Sequence, residues 1–300
     1  MATSTTSAAA RPSAASASAP ITIEPARSTL AASRSALLAL ILRDLVVLWK
    51  HKLEFAVRTL IQPFLLVFVF LYVFPTIGQG IGGHGAVGES AFATVLVPGV
   101  VGITIMFQGI QAVAMVLAQE FGYTREIEDR VQAPCPIWLV AVSKVLSGAA
   151  QGLIAALIVF PMARVIHAPG VHAHLSVTWW IVITLIPLAC VTMTSLGLLL
   201  GTVFEARNLG LMFGFVVLPL TFLGGTYYQW TKLSPVQVDG VHWLQIVVLI
   251  NPLIYVNEGL RAGLTHASHM PLYVVYPVLL GFCAVFLGLG LRRFRGRVVS

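Results

Sequence analysis

The stretch Val177–Val203, VTWWIVITLIPLACVTMTSLGLLLGTV, decides the solvent in which this chain lives. It holds no Asp, Glu, Lys or Arg, and the charge-free run around it extends from Arg164 to Glu205. A hydrocarbon layer roughly 30 Å thick needs about 20 apolar residues at roughly 1.5 Å rise each, so this run can cross one. Charge-free runs recur from Arg58 to Glu89, Glu89 to Glu120, Lys144 to Arg164, Arg207 to Lys232 and Arg261 to Arg292. Backbone polar groups in lipid must pair internally, which leaves helices or closed barrels. The runs are continuous rather than alternating, which excludes a barrel. The expected fold is therefore an all-α membrane protein with six transmembrane helices, at about 57–77, 91–118, 138–162, 177–203, 208–226 and 272–291.

Composition agrees. Hydrophobic residues make up 58% of the chain and charged ones only 10%, against roughly a quarter charged in soluble domains. The net charge of +7 invites a nucleic-acid reading. That reading is rejected, because the charges sit beside apolar runs, where they act as topology signals and contact lipid headgroups. Cys135, Cys190 and Cys283 form no CxxC pair, so neither a disulfide framework nor a zinc site is expected. His167, His172 and His174 cluster in one loop but lack a carboxylate or Cys partner, so no metal site is assigned.

Residues 1–34 are rich in Ala, Ser, Thr and Pro and have no signal-peptide core; they read as a disordered cytoplasmic tail. The membrane domain then occupies 35–300. Ser35 to Lys52 is apolar but carries Arg43 and Asp44 in its middle, which suits an amphipathic helix lying in the interface better than a span. Basic residues gather at both ends, and Gly78 to Ser90 has none, so both termini are expected in the cytoplasm. Pro98, Gly99 and Gly102 suggest a kink in the second span, and Thr184 is placed to help the backbone near Pro187.

Two connections are more than turns. The cytoplasmic stretch Glu120 to Pro136 is too charged for lipid and predicts a short helix over Gly122 to Gln132, broken at Pro134 and Pro136. The external stretch Thr226 to Pro271 contains an apolar piece too short to cross. Asn251-Pro252 then reads as an N-cap and first helical residue of a helix reaching about Leu264. Short re-entrant helices dipping into the outer leaflet would explain the apolar residues here.

Three segments carry a family resemblance: Arg43-Asp44 with Arg58-Thr59-Leu60-Ile61-Gln62-Pro63-Phe64; Glu126 to Pro134 with Ser143-Lys144; and Asn251-Pro252-Leu253-Ile254-Tyr255-Val256-Asn257-Glu258-Gly259-Leu260-Arg261. Together they resemble the permease subunit of ABC-2 type exporters, a family spanning daunorubicin-type drug, lipo-oligosaccharide and polysaccharide exporters. Gln132-Ala133 and Tyr123-Thr124 depart from its usual pattern. The resemblance implies a half-transporter in the cell membrane. Its partners would be an ABC ATPase subunit, a second permease chain (a copy or a sister permease) and membrane lipids. It implies that Glu120, Arg125, Glu126, Glu128, Asp129 and Arg130 form the coupling loop to the ATPase. Asn251, Pro252, Tyr255, Glu258 and Arg261 would be the external signature motif.

The chain itself cannot bind nucleotide through a P-loop, because Lys50, Lys52, Lys144 and Lys232 are followed by His, Leu, Val and Leu. No cofactor is expected in this chain; ATP and Mg would be bound by the partner, and no catalytic residue is assigned. A gradient-driven transporter would need a mid-span carboxylate, and none is present. An intramembrane enzyme would need a base for Ser195, and no His lies at matching depth.

At single positions the readings divide. Arg58 and Lys144 read as substrate or gate contacts, or as side chains snorkelling to headgroups. Glu258 and Arg261, three apart on the outer helix, read as a gate element or as a surface pair worth under about 1 kcal/mol. Phe64, Phe68, Tyr227 and Tyr228 are the candidates for lining a translocation path; the competing reading is a lipid-facing aromatic belt. The near absence of central charge favours a hydrophobic or amphipathic cargo, with glycan export as the alternative.

Overall fold

The computed structural model describes residues 29–77, 86–124, 136–170, 172–235 and 242–299. Of the expected coupling loop, Arg125, Glu126, Glu128, Asp129 and Arg130 lie outside these residues, as does most of the N-terminal tail. Among the described residues the regular elements are all helical.

The first helix, α1 (Thr29–Lys50), starts inside the stretch read as tail and packs against the fourth helix and, more lightly, the second. The long apolar helices are α2 (Lys52–Thr76), α3 (Val87–Gly122), α4 (Ile137–Val165), α5 (Trp179–Val203), α6 (Ala206–Leu223) and α9 (Leu272–Val299). These six are long and apolar enough to cross a membrane, within a few residues of the expected spans. Two short helices, α7 (Trp243–Val248) and α8 (Pro252–Leu264), fill the connection before α9.

Burial grades the helices by position. In α3 and α5 72% of the most apolar window is buried within the chain, against 17% in α6 and α9. The charge-free stretch that first signalled a membrane is thus a central helix. It packs on α3, α4 and α9, while the outer helices leave large apolar side chains exposed. Small residues allow the central contact. A Cβ on Gly197 would strike the backbone oxygen of Gly109, and one on Gly109 would strike the backbone of Met193, so α3 and α5 touch backbone to backbone.

The hydroxyls inside the bundle mostly bond their own helix. Ser195 Oγ donates to Val191 O at 2.7 Å, as an unpaired serine in a membrane helix should. Thr184 Oγ1 bonds Trp180 O at 2.7 Å and Ile181 O at 3.2 Å, and meets Tyr276 Oη at 2.6 Å. It therefore ties α5 to α9, a role not foreseen from its nearness to Pro187.

Gly99 and Gly102 also serve close approach. Side chains at these positions of α3 would collide with Thr226 and with Asn257, so the glycines open the groove in which α8 lies.

Candidate functional site

The 13-residue helix α8 is buried along its whole length, between α3, α5 and α9. Asn251 starts it as expected. Its Oδ1 accepts from Leu253 N at 2.9 Å, and its Nδ2 donates to Leu220 O at the end of α6 at 2.7 Å. Pro252 at the first helical position has no N–H to leave unpaired. Tyr255 packs beside Phe282 and its hydroxyl donates to Leu249 O at 3.1 Å.

Glu258 and Arg261 depart most from the surface-pair reading. Both side chains are 0% exposed, and Arg261 Nη1 lies 2.9 Å from Glu258 Oε1. The carboxylate also accepts from Trp230 N at 2.8 Å and from Met270 N at 2.9 Å. Arg261 Nη2 donates to Gly225 O and, at 3.3 Å, to Thr226 O. Asn257 adds Nδ2 bonds to Gly224 O at 2.7 Å and Thr226 Oγ1 at 3.2 Å. One face of α8 therefore grips the Gly224–Thr226 turn, which bends through Gly225 at φ +67°, a conformation suited to glycine. Burial pulls the Arg261 pKa down from its ordinary value, and Glu258 pulls it back up.

The sequence-predicted path residues fall into two groups. Phe64 stacks on Phe68 with ring centroids 5.7 Å apart, and Phe68 on Tyr72 at 5.4 Å, forming a half-exposed ladder along α2. Tyr227 and Tyr228 instead line a cavity of about 750 Å³, with Phe92, His174, Lys232 and His266. Phe70 of α2 packs on the second group, its ring 5.4 Å from Tyr227 and 6.2 Å from Phe92. Burial raises the phenol pKa of both tyrosines above its ordinary value. For Tyr228 a bond to Gly225 and the charge of Arg261 oppose that rise.

At the other end of α3 the helix continues from the span, expected to end at 118, through Glu120 to Thr124; the rest of the short helix expected over Gly122 to Gln132 lies outside the described residues. Glu120 Oε1 meets Lys144 Nζ of α4 at 2.6 Å, with side chains 7% and 10% exposed. Lys144 does not snorkel; it is held inside by its carboxylate. This contact ties together the two helices that flank the 125–135 segment.

Sequence reading missed Phe92, and it missed the structural weight of Asn257 and Thr226. The Gly224-Gly225 pair, a strong turn signal just before Thr226, could have pointed to this turn. Sequence reading also missed the polar contacts Thr59–Gln108 (2.9 Å) and Gln108–Gln151 (3.2 Å), which join α2, α3 and α4.

A bundle of six apolar helices with a buried helix locked before the last of them defines a multi-pass membrane protein. Residues 35–265 match the ABC-2 type transporter family, and the chain belongs to that family. The chain is similar to the inner membrane transport permease YadH of Escherichia coli (strain K12), 28% identical over 236 residues covering 77% of this chain and 84% of that protein. The permeases of that name from Escherichia coli O157:H7 and Shigella flexneri match to the same extent.

Proposed function

We propose that this chain is the membrane-spanning half of an ATP-driven exporter in the inner (plasma) membrane. The observation that carries this reading is the family match over 35–265 in a chain that has no P-loop of its own. Energy then comes from a separate ABC ATPase subunit, which binds ATP and Mg. The basic ends place both termini in the cytoplasm, with the Glu120–Pro136 stretch on the same side. That stretch is the coupling element, seated on the ATPase. Its motion reaches the bundle through the ends of α3 and α4, which the Glu120–Lys144 pair holds together. In this orientation α7 and α8 lie in the outer leaflet as re-entrant helices. A second permease chain, a copy or a sister, covers apolar faces left open on α2 and α6.

The cargo is hydrophobic or amphipathic: a drug, lipid or glycolipid. Export of a polysaccharide is the second reading, favoured by the tyrosines, imidazoles and Lys232 around the outer cavity. Reversing the charge of both Glu126 and Asp129 should abolish transport and ATPase stimulation in cells co-expressing the ATPase, with membrane insertion unchanged. Normal transport by that double variant would remove the coupling role. ATP hydrolysis by the purified chain alone would contradict the division of labour.

A further inference from the structure

Two cavities at the Glu120 end of the bundle differ in charge. One, of about 610 Å³, is walled by Glu120 and Lys144 and carries groups of both signs, Arg43 and Asp44 among them. The other, of about 630 Å³, lies between the ends of α5 and α9 and carries one sign. Arg292, Arg293 and Arg297 line it with Thr202, Leu289 and Gly296, and among the described residues its wall holds no carboxylate. Its volume is in the range of small-molecule sites.

Arg297 is fixed in place. Its Nη1 donates to Thr202 O at 3.1 Å and to Phe204 O at 3.5 Å, and its guanidinium lies 4.8 Å from the centre of the Phe121 ring. Arg292 and Arg293 are exposed, and among the described residues neither enters an ion pair. Glu205, just past the end of α5, already faces Arg207 at 2.7 Å. Basic residues near a helix C-terminus complement its dipole and set topology, which accounts for their sign. It does not account for a cavity whose wall continues into apolar surface. Leu289 lines the cavity and is 47% exposed; Val285, four residues earlier on the same face of α9, is 52% exposed. That face passes from apolar at Val285 and Leu289 to cationic at Arg292 and Arg293.

We propose that this cavity holds the phosphate of an anionic phospholipid from the adjoining leaflet, as a resident lipid and not as cargo. Guanidinium forks match phosphate oxygens in pairs, and Arg292 and Arg293 stand beside a third arginine that is already positioned. Three cations with no acid in the wall favour a head of net negative charge. A phosphatidylcholine head brings its own ammonium, which the same three groups repel. A soluble phosphate or an acidic surface of another protein would satisfy the arginines but not the apolar continuation. Val285 lies about 12 Å from Arg293 along the helix, a depth that an acyl chain reaches. The proposal rests on the membrane reading alone and requires neither the ATPase nor a particular cargo.

The test is native mass spectrometry of the full chain in detergent, titrated with phosphatidylglycerol or with phosphatidylcholine of the same acyl chains. The first phosphatidylglycerol should bind about tenfold more tightly than the first phosphatidylcholine. Arg292→Gln and Arg293→Gln should each weaken phosphatidylglycerol about threefold or more and leave phosphatidylcholine unchanged. Arg295→Gln removes the same charge from an exposed residue outside the cavity wall, and should bind like the wild type. A side chain at Gly296 meets open space, so Gly296→Asp sets a carboxylate in the cavity without disturbing the fold. It should weaken phosphatidylglycerol as the Gln variants do, while Gly296→Ala should not, which keeps the test decisive if an Arg variant misfolds. Glycerol phosphate at the lipid's concentration should not compete. Equal affinity for the two lipids, an Arg295→Gln loss as large as that of Arg293→Gln, wild-type binding by Gly296→Asp, or competition by glycerol phosphate would overturn the proposal. Failure here leaves the transporter reading standing, and failure of ATPase coupling leaves this binding result standing.

Discussion

The Glu258–Arg261 and Glu120–Lys144 pairs share one chemistry in opposite settings. The first joins neighbours on one helix and is completely enclosed; two backbone N–H groups complete the carboxylate, and two carbonyls receive the guanidinium. The second joins two helices at the edge of a cavity, where a little of each side chain remains accessible. A sealed pair bonded at both carboxylate oxygens and both terminal guanidinium nitrogens has one arrangement, although Arg261 Nε finds no partner. A pair on a cavity wall between two helices can be separated and rewetted at lower cost, as a moving part requires. On the proposed function, α8 acts as a static lock and the α3–α4 end as the transmitting joint.

Removing half of the sealed pair should produce the largest effect. Arg261→Leu leaves a carboxylate with no cation in a dry site, a change that costs about 3–5 kcal/mol. Thermal unfolding of the purified chain should show a loss of many degrees, with poor recovery from membranes. Replacing both partners, Glu258→Gln with Arg261→Leu, should restore part of that loss because no charge is left stranded. If the single variant melted like the wild type, the lock would carry no weight and the comparison would collapse.

How much of this was legible in the sequence depended on the range of the interaction. The six spans follow from charge-free length, and the α8 start follows from Asn251-Pro252, because caps and spans are local. The three-residue spacing of Glu258 and Arg261 shows that they share a helix face, but not that the face is buried. Their burial depends on Gly99 and Gly102, some 160 residues earlier, leaving room for α8 against α3. The inner pair spans 24 residues across a charged connection, so Glu120 read as loop and Lys144 as a snorkelling end. Gln108 and Gln151, 43 apart on different helices, carried no signal in a pass for charges and motifs. Aromatics were visible as clusters, but Phe64 and Tyr227 prove to belong to different surfaces, since facing direction along α2 is set by tertiary packing.

Lys144→Met should have an intermediate effect on stability, about 1–3 kcal/mol, because water in the cavity can reach Glu120 once the ammonium is gone. Its effect on coupling should be disproportionate. In the complex with the ATPase, transport should fall while basal ATP hydrolysis persists, since the joint between α3 and α4 has lost its charge contact. Lys144→Arg keeps the charge and should recover most of the transport. An unfolding loss as large as that of Arg261→Leu would show the two pairs to be alike, and the division into lock and joint would fail.

The smallest effect should come from a third ion pair, which calibrates the other two. Arg207 Nε lies 2.7 Å from Glu205 Oε2, a separation between those of the two buried pairs, yet the side chains are 77% and 51% exposed. Water and salt screen such a contact, and exposed pairs contribute under about 1 kcal/mol. Arg207→Ala should therefore leave the melting temperature unchanged within error at low and high salt. Distance alone would rank this pair beside Glu120–Lys144; enclosure ranks it last. A melting loss equal to that of Lys144→Met would mean that proximity, and not the cavity wall or the sealed pocket, governs the energetics of all three pairs.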